Sequence, residues 1–194
     1  MAPLLKQRIK HYKMPCNLSL GRNEPCKDQI AGLQGVYFIN YTTGSFALNA
    51  NDEVTSFPSS STAYYYELKG ANSYTETVNT SRDNGTTFFS QELSLTLKKL
   101  TAQMTKEFKL MAYGRPQIVV ADRNGNALLV GKNYGADMTG GTIATGQAYG
   151  DLSGYTVVFT GQEQLPANFI TGSTLTNPFA GVANAPTVVY GSVA

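Results

Sequence analysis

The chain has 194 residues, a formal net charge of +2, 12 Tyr, 9 Phe and no Trp. That length suits one main domain with extended arms, and the aromatic content favours strands over helices. No stretch approaches the ~20 apolar residues of a membrane-spanning helix and no apolar run follows the basic N-terminus as in a secretory signal, so a soluble product made in the cytosol, with no membrane partner, is expected.

Residues 1–13 carry Lys6, Arg8, Lys10 and Lys13 without an acid, which leaves the rest of the chain at −2. This basic leader suits either a tail that binds nucleic acid or a partner, or a disordered segment upstream of Met14. Cys16 and Cys26 are the only cysteines. Geometry permits a disulfide between them, whereas cytosolic synthesis favours two reduced thiols. A zinc site would need two further ligands, and the only histidine, His11, lies in the leader; no metal is expected.

GVYFINY (35–41) is rich in β-branched and aromatic residues and predicts a strand. TAYYYELKG (62–70) predicts another, with the polar NANDEVTSFPSSS stretch between them. A long hairpin follows over Asn72–Leu97, turning at RDNG, where Asp83-Asn84-Gly85 supply residues tolerant of positive φ. On its returning arm Phe89, Leu93, Leu95 and Leu97 recur at period two, so one apolar face points inward. The period then lengthens: Leu97, Leu100, Met104, Phe108 and Met111 form a stripe with lysines off it, predicting one amphipathic helix over about 98–113, stopped by Gly114 and Pro116. Packing on a sheet explains the stripe better than a ligand groove does.

QIVVADRNGNALLVG (117–131) predicts a second hairpin turning at Asn124-Gly125. Asp122, Asn124 and Asn126 match the first ligand positions of an EF-hand loop, but Ala127 and Asn133 occupy its glycine and glutamate positions, so a turn is expected. A third hairpin joins GGTIATGQAY to GYTVVFTGQE, where Tyr155, Val157 and Phe159 alternate with polar neighbours. From Gln164 onward, 31 residues contain no charged side chain. Such a tail would be poorly soluble alone and is expected either to dock on another subunit or to close its own sheet. The expected organisation is a leader (1–13), a β domain (14–165) and an uncharged C-terminal arm (166–194).

Nothing in this pattern proposes a reaction. GADMTGGTIATG (135–146) approaches a P-loop, yet Gly141 stands where the phosphate-binding lysine belongs and no helix follows. Those glycines suit turns, bulges and close backbone approach. No G-x-S-x-G elbow occurs, and a catalytic triad would have to recruit His11. Asp52 and Glu53 would point to opposite faces of a strand and be solvated. No catalytic residue and no cofactor is therefore expected.

The order MPCNLSLGR, GVYFINY, FFSQELSLTLKKL running into one helix, VVADRNGNALLVG and TGGTIATGQAYGDLSGYTVVFTGQE resembles the tail-tube-like structural subunits of tailed bacteriophages, over roughly residues 14–165. The resemblance implies a mainly β chain, a sandwich or barrel with one flanking helix. It also implies a virion protein of the tail or neck, assembled in the host cytoplasm, whose copies close into homo-oligomeric rings, usually of six. Such rings stack with other tail or connector proteins into a conduit for DNA ejection, the DNA passing non-specifically through the lumen. By position, the hairpin at Arg82, Asp83, Asn84 and Gly85, with Phe88 beside it, supplies the expected contact to the next ring. The alternative class is a monomeric or dimeric β-sandwich binding module, for example for glycans, using the tyrosines.

Overall fold

In Leu33–Ile39 (β1) all but one of seven residues are buried, a continuous apolar run in place of the alternation of a half-exposed strand. Gln117–Asp122 (β7), hydrogen-bonded beside it, is likewise buried over its first four residues. A strand buried on both faces has to lie in a middle layer, and the computed structural model, which describes residues 18, 20–24 and 26–191, has that layer. The leader 1–13, His11 and Cys16 lie outside the described residues; Cys26 is an exposed free thiol.

The middle layer is a six-stranded sheet. With Thr62–Glu67 (β4), Ala127–Val130 (β8), Asn168–Phe169 (β11) and Thr187–Tyr190 (β12), its order is β11-β8-β7-β1-β4-β12. All pairs are antiparallel except β12 on β4. A second, antiparallel sheet has the order β5-β6-β10-β9, from Ser73–Ser81 (β5), Thr86–Lys98 (β6), Asp137–Ala144 (β9) and Gly154–Glu163 (β10). Ala47–Leu48 (β2) and Val54–Ser56 (β3) form a small pair of their own. Among the described residues the chain is thus mainly β with one flanking helix.

Two cores follow from the pleat. Val36, Phe38, Ile118 and Val120 on one face of the six-stranded sheet meet Leu93, Leu95, Val157 and Phe159 of the four-stranded sheet. Tyr37, Ile39, Val119 and Leu129 on the opposite face are covered by Val54, Phe57, Ile170 and Phe179. Two of these four covering residues come from the uncharged C-terminal segment. That segment closes its own domain: β11 and β12 extend opposite edges of the six-stranded sheet and the residues between them lie over its face. The polar stretch after residue 48, expected only to separate strands, contributes Val54 and Phe57, both at most 2% exposed.

The helix is shorter at its start than the stripe predicts. It spans Ala102–Tyr113 (α1), because Leu97 and Lys98 remain in β6, paired with Tyr155 and Gly154. Lys99 then takes a positive φ of 72°, and the Thr101 hydroxyl accepts from the Met104 amide at 3.1 Å as an N-cap. Met104, Phe108 and Met111 are half-buried; Phe108 and Met111 reach the core between the sheets. The Tyr155 hydroxyl, 2.6 Å from that of Thr105, ties the helix to β10. At the other end the Gly114 amide donates to the Leu110 carbonyl and the helix stops.

Candidate functional site

The glycine-rich segment 135–146 is mostly strand. Gly140 and Gly141 lie in β9, opposite Val158 and Val157 of β10, with no helix after them. A Cβ at Gly141 would stand 2.5 Å from Met138 Cε and 2.9 Å from Phe108 Cζ, so this glycine makes room for the helix. Gly135, at φ +79°, lets the backbone pass the Arg115 carbonyl, which a Cβ would approach to 2.5 Å. Both therefore serve packing and close approach, not a phosphate cradle.

The EF-hand near-match is a turn. Asp122 Oδ1 accepts from the amides of Asn124 and Asn126, each at 2.8 Å, and Oδ2 accepts from the Asn126 side chain at 2.9 Å. Burial works against ionising this carboxyl, but the hydrogen bonds outweigh it and hold its pKa below the usual value. Asp52 and Glu53 lie in the β2–β3 turn, not in a strand: Asp52 has φ 60°, and Glu53 Oε2 accepts from the Asn49 side chain at 2.6 Å. Among the described residues no group of three His, Cys, Asp or Glu side chains could hold a metal ion, and no helix is long and apolar enough to cross a membrane.

The β5–β6 hairpin is the projecting element. Pairing of β6 with β10 ends at Phe89 opposite Glu163. Beyond that point Phe88, Thr87 and Thr86 pair only with Asn79, Thr80 and Ser81. The two-stranded ribbon thus runs three pairs past the sheet, about 10 Å at ~3.4 Å per residue, before its turn at Arg82–Gly85. The Gly85 amide donates to the Arg82 carbonyl at 3.3 Å and the Asn84 amide to the Ser81 hydroxyl at 3.3 Å. Only Gly85 of the three turn-tolerant residues needs positive φ, at 62°. Arg82, Asp83, Asn84, Gly85 and Phe88 are all exposed, and Val78 is 56% exposed.

The root of the ribbon is fixed by a buried polar cluster that sequence periodicity cannot disclose. Gln91, 1% exposed, donates to Glu76 Oε1 at 3.1 Å and accepts from the Gly131 amide at 2.9 Å. Glu163, 3% exposed, accepts from the amides of Asn133 and Tyr134 at 2.8 and 2.9 Å and from the Asn133 side chain at 2.8 Å. Glu76 Oε1 also accepts from the Ala167 amide at 3.0 Å. The only hint in the sequence was the placement of Gln91 and Glu163 at inward positions of apolar strands. Ribbon root, six-stranded sheet and C-terminal segment are joined there, so the tip is held at a defined angle while its own side chains find nothing to bury against. No protein-family model, curated protein or solved structure matches the chain.

Proposed function

We propose that this protein is a structural, non-enzymatic virion subunit. Its copies close into rings, of six by the likeness to tail-tube-like subunits, and the rings stack with tail or connector proteins into a conduit for phage DNA, assembled in the host cytoplasm. The observation that carries the proposal is the rigidly rooted ribbon whose tip, Arg82 to Phe88, is exposed throughout. A two-stranded ribbon alone is marginal in water, and exposed Val78 and Phe88 gain by lying against another subunit, where backbone pairing and aromatic burial offset the entropy of ordering. The outward face of the four-stranded sheet supports the same role. It carries hydroxyl ladders, Thr139 to Thr160 at 2.9 Å and Thr142 to Thr156 at 2.6 Å, which offer passing phosphates little fixed positive charge to hold them.

Replacing residues 79–88 by an Asn-Gly turn tests the proposal. The variant is expected to melt within a few degrees of the parent, since nothing in the excised segment is buried, and to lose ring-on-ring contact in negative-stain micrographs. Stacked rings or particles like the parent's would exclude the hairpin as the stacking element.

A further inference from the structure

Where the C-terminal layer thins out over the six-stranded sheet, a cleft of about 100 Å³ opens, lined by Tyr37, Tyr65, Tyr190, Gln34 and Gly35 with Leu175 and Pro178 beside them. Register brings the three tyrosines together: Tyr37 pairs with Tyr65 across β1 and β4, and Tyr65 with Tyr190 across β4 and β12. Their ring centroids lie 4.9 and 5.4 Å apart in that order. Tyr65 lies over Gly35, where a Cβ would stand 2.5 Å from its ring.

Among the described residues the hydroxyls of Tyr37, Tyr65 and Tyr190 make no hydrogen bond and stay open to solvent. The Gln34 side-chain oxygen is buried without a partner. A buried polar group is almost always paired, so the unpaired Gln34 oxygen, on a residue that lines a cleft with three tyrosines, points to a bound group. No charged side chain lines the cleft. Glu67, opposite Gly35 in the register, acts on Tyr65 and also pairs with Lys69 at 3.1 Å.

We propose that this cleft binds a guanidinium group. A planar cation with five donors and no acceptor suits a set of acceptor oxygens among aromatic rings, and it is hydrated weakly enough to enter. The volume admits a head group, well short of the ~300–1,000 Å³ of sites for larger ligands. The protein already makes this contact within itself, with the Arg115 guanidinium 4.2 Å from the centre of the Tyr41 ring. Arg82 at the exposed ribbon tip is the arginine a second copy would present, and that source rests on the stacking function proposed above.

The test is calorimetric titration of the full-length protein with N-acetyl-arginine amide, beside its citrulline counterpart, which keeps the shape and lacks the charge. Saturable binding in the millimolar range is expected, about tenfold weaker for citrulline, as for a partly desolvated cation–π contact. The same loss is expected in Tyr190→Phe, which keeps the ring and tests the hydroxyl, combined with Gln34→Leu. Tyr190→Ala, at a 66% exposed edge position, should abolish binding with melting preserved. Absence of saturable heat, equal binding of citrulline, or unchanged binding in Tyr190→Ala would each overturn the proposal. Arg82→Ala separates the sources: stacking lost in Arg82→Ala and competed by arginine amide assigns the cleft to a second copy. Positive titration with normal stacking in Arg82→Ala supports a guanidinium site filled from elsewhere. Failure of the ribbon truncation to disturb stacking would remove the proposed function and leave the titration result standing.

Discussion

Phe179→Ala tests whether the uncharged C-terminal segment is part of the cooperative fold. Phe179 is 3% exposed, with its ring edge-on to Tyr37 at 5.2 Å and to Phe57 at 5.4 Å. Its neighbours are held by the sheet on one side and by the β2–β3 pair on the other, so the site has little freedom to collapse around the lost ring. Truncating a buried Phe costs about 3–5 kcal/mol through lost burial and the residual cavity, a large part of the ~5–15 kcal/mol that stabilises a typical domain. At roughly 2–4 °C per kcal/mol for a domain of this size, the melting temperature should fall by about 6–20 °C. Urea unfolding followed by far-UV circular dichroism gives the free energy, with Leu175→Ala as control. Leu175 belongs to the same segment but is 53% exposed, and its truncation should cost under ~1 kcal/mol. A Phe179→Ala variant that melts within 2 °C of the parent would refute the assignment of residues 168–190 to the core.

Gly141→Lys restores the residue a P-loop requires, and it should gain no affinity for ATP and magnesium by calorimetry while losing ~1–3 kcal/mol from overpacking against Met138 and Phe108; saturable heat at micromolar nucleotide would reverse that conclusion. In alkali, burial pushes the Tyr37 hydroxyl up to about 12, with the Tyr65 and Tyr190 hydroxyls adding to it, while unfolded tyrosines ionise near 10. Its contribution is therefore fully present below pH ~10 and lost as pH rises toward 12. Melting should drop over that window, less steeply in Tyr37→Phe, and an equal slope in the variant would show that Tyr37 does not carry it.

Where local chemistry decided the structure, the sequence sufficed. Gly85 and Gly125 sit in left-handed turns because only residues without a Cβ penalty close those hairpins easily. Leu93 and Leu95 point inward because the strand period leaves them no other face. The failures came where a distant partner decided. Leu97 continues a helical stripe in sequence, but Tyr155 of β10 holds it in a strand. Val54 and Phe57 sit among polar residues and become core only because Ile170 and Phe179 arrive to cover them. The tyrosine cleft depends on TVVY pairing in parallel with TAYY, a match between residues 187–190 and 62–65 that no local period announces. The ribbon tip was legible as a turn, whereas its anchoring through Gln91 and Glu163 was not, since buried polar residues are recognised only by their partners.

The parallel pairing of β12 with β4 also sets an order of events during synthesis. Tyr37, Ile39, Val54 and Phe57 leave the ribosome well before Ile170, Phe179 and β12, which must shield them. At ~5–20 residues per second, a nascent chain displays a bare apolar sheet face for several seconds after its first hairpins can form. Closing that face requires contacts spanning more than a hundred residues, which are slow to make. Molecules that have not yet received their last layer are therefore the ones with the most apolar surface to expose to one another.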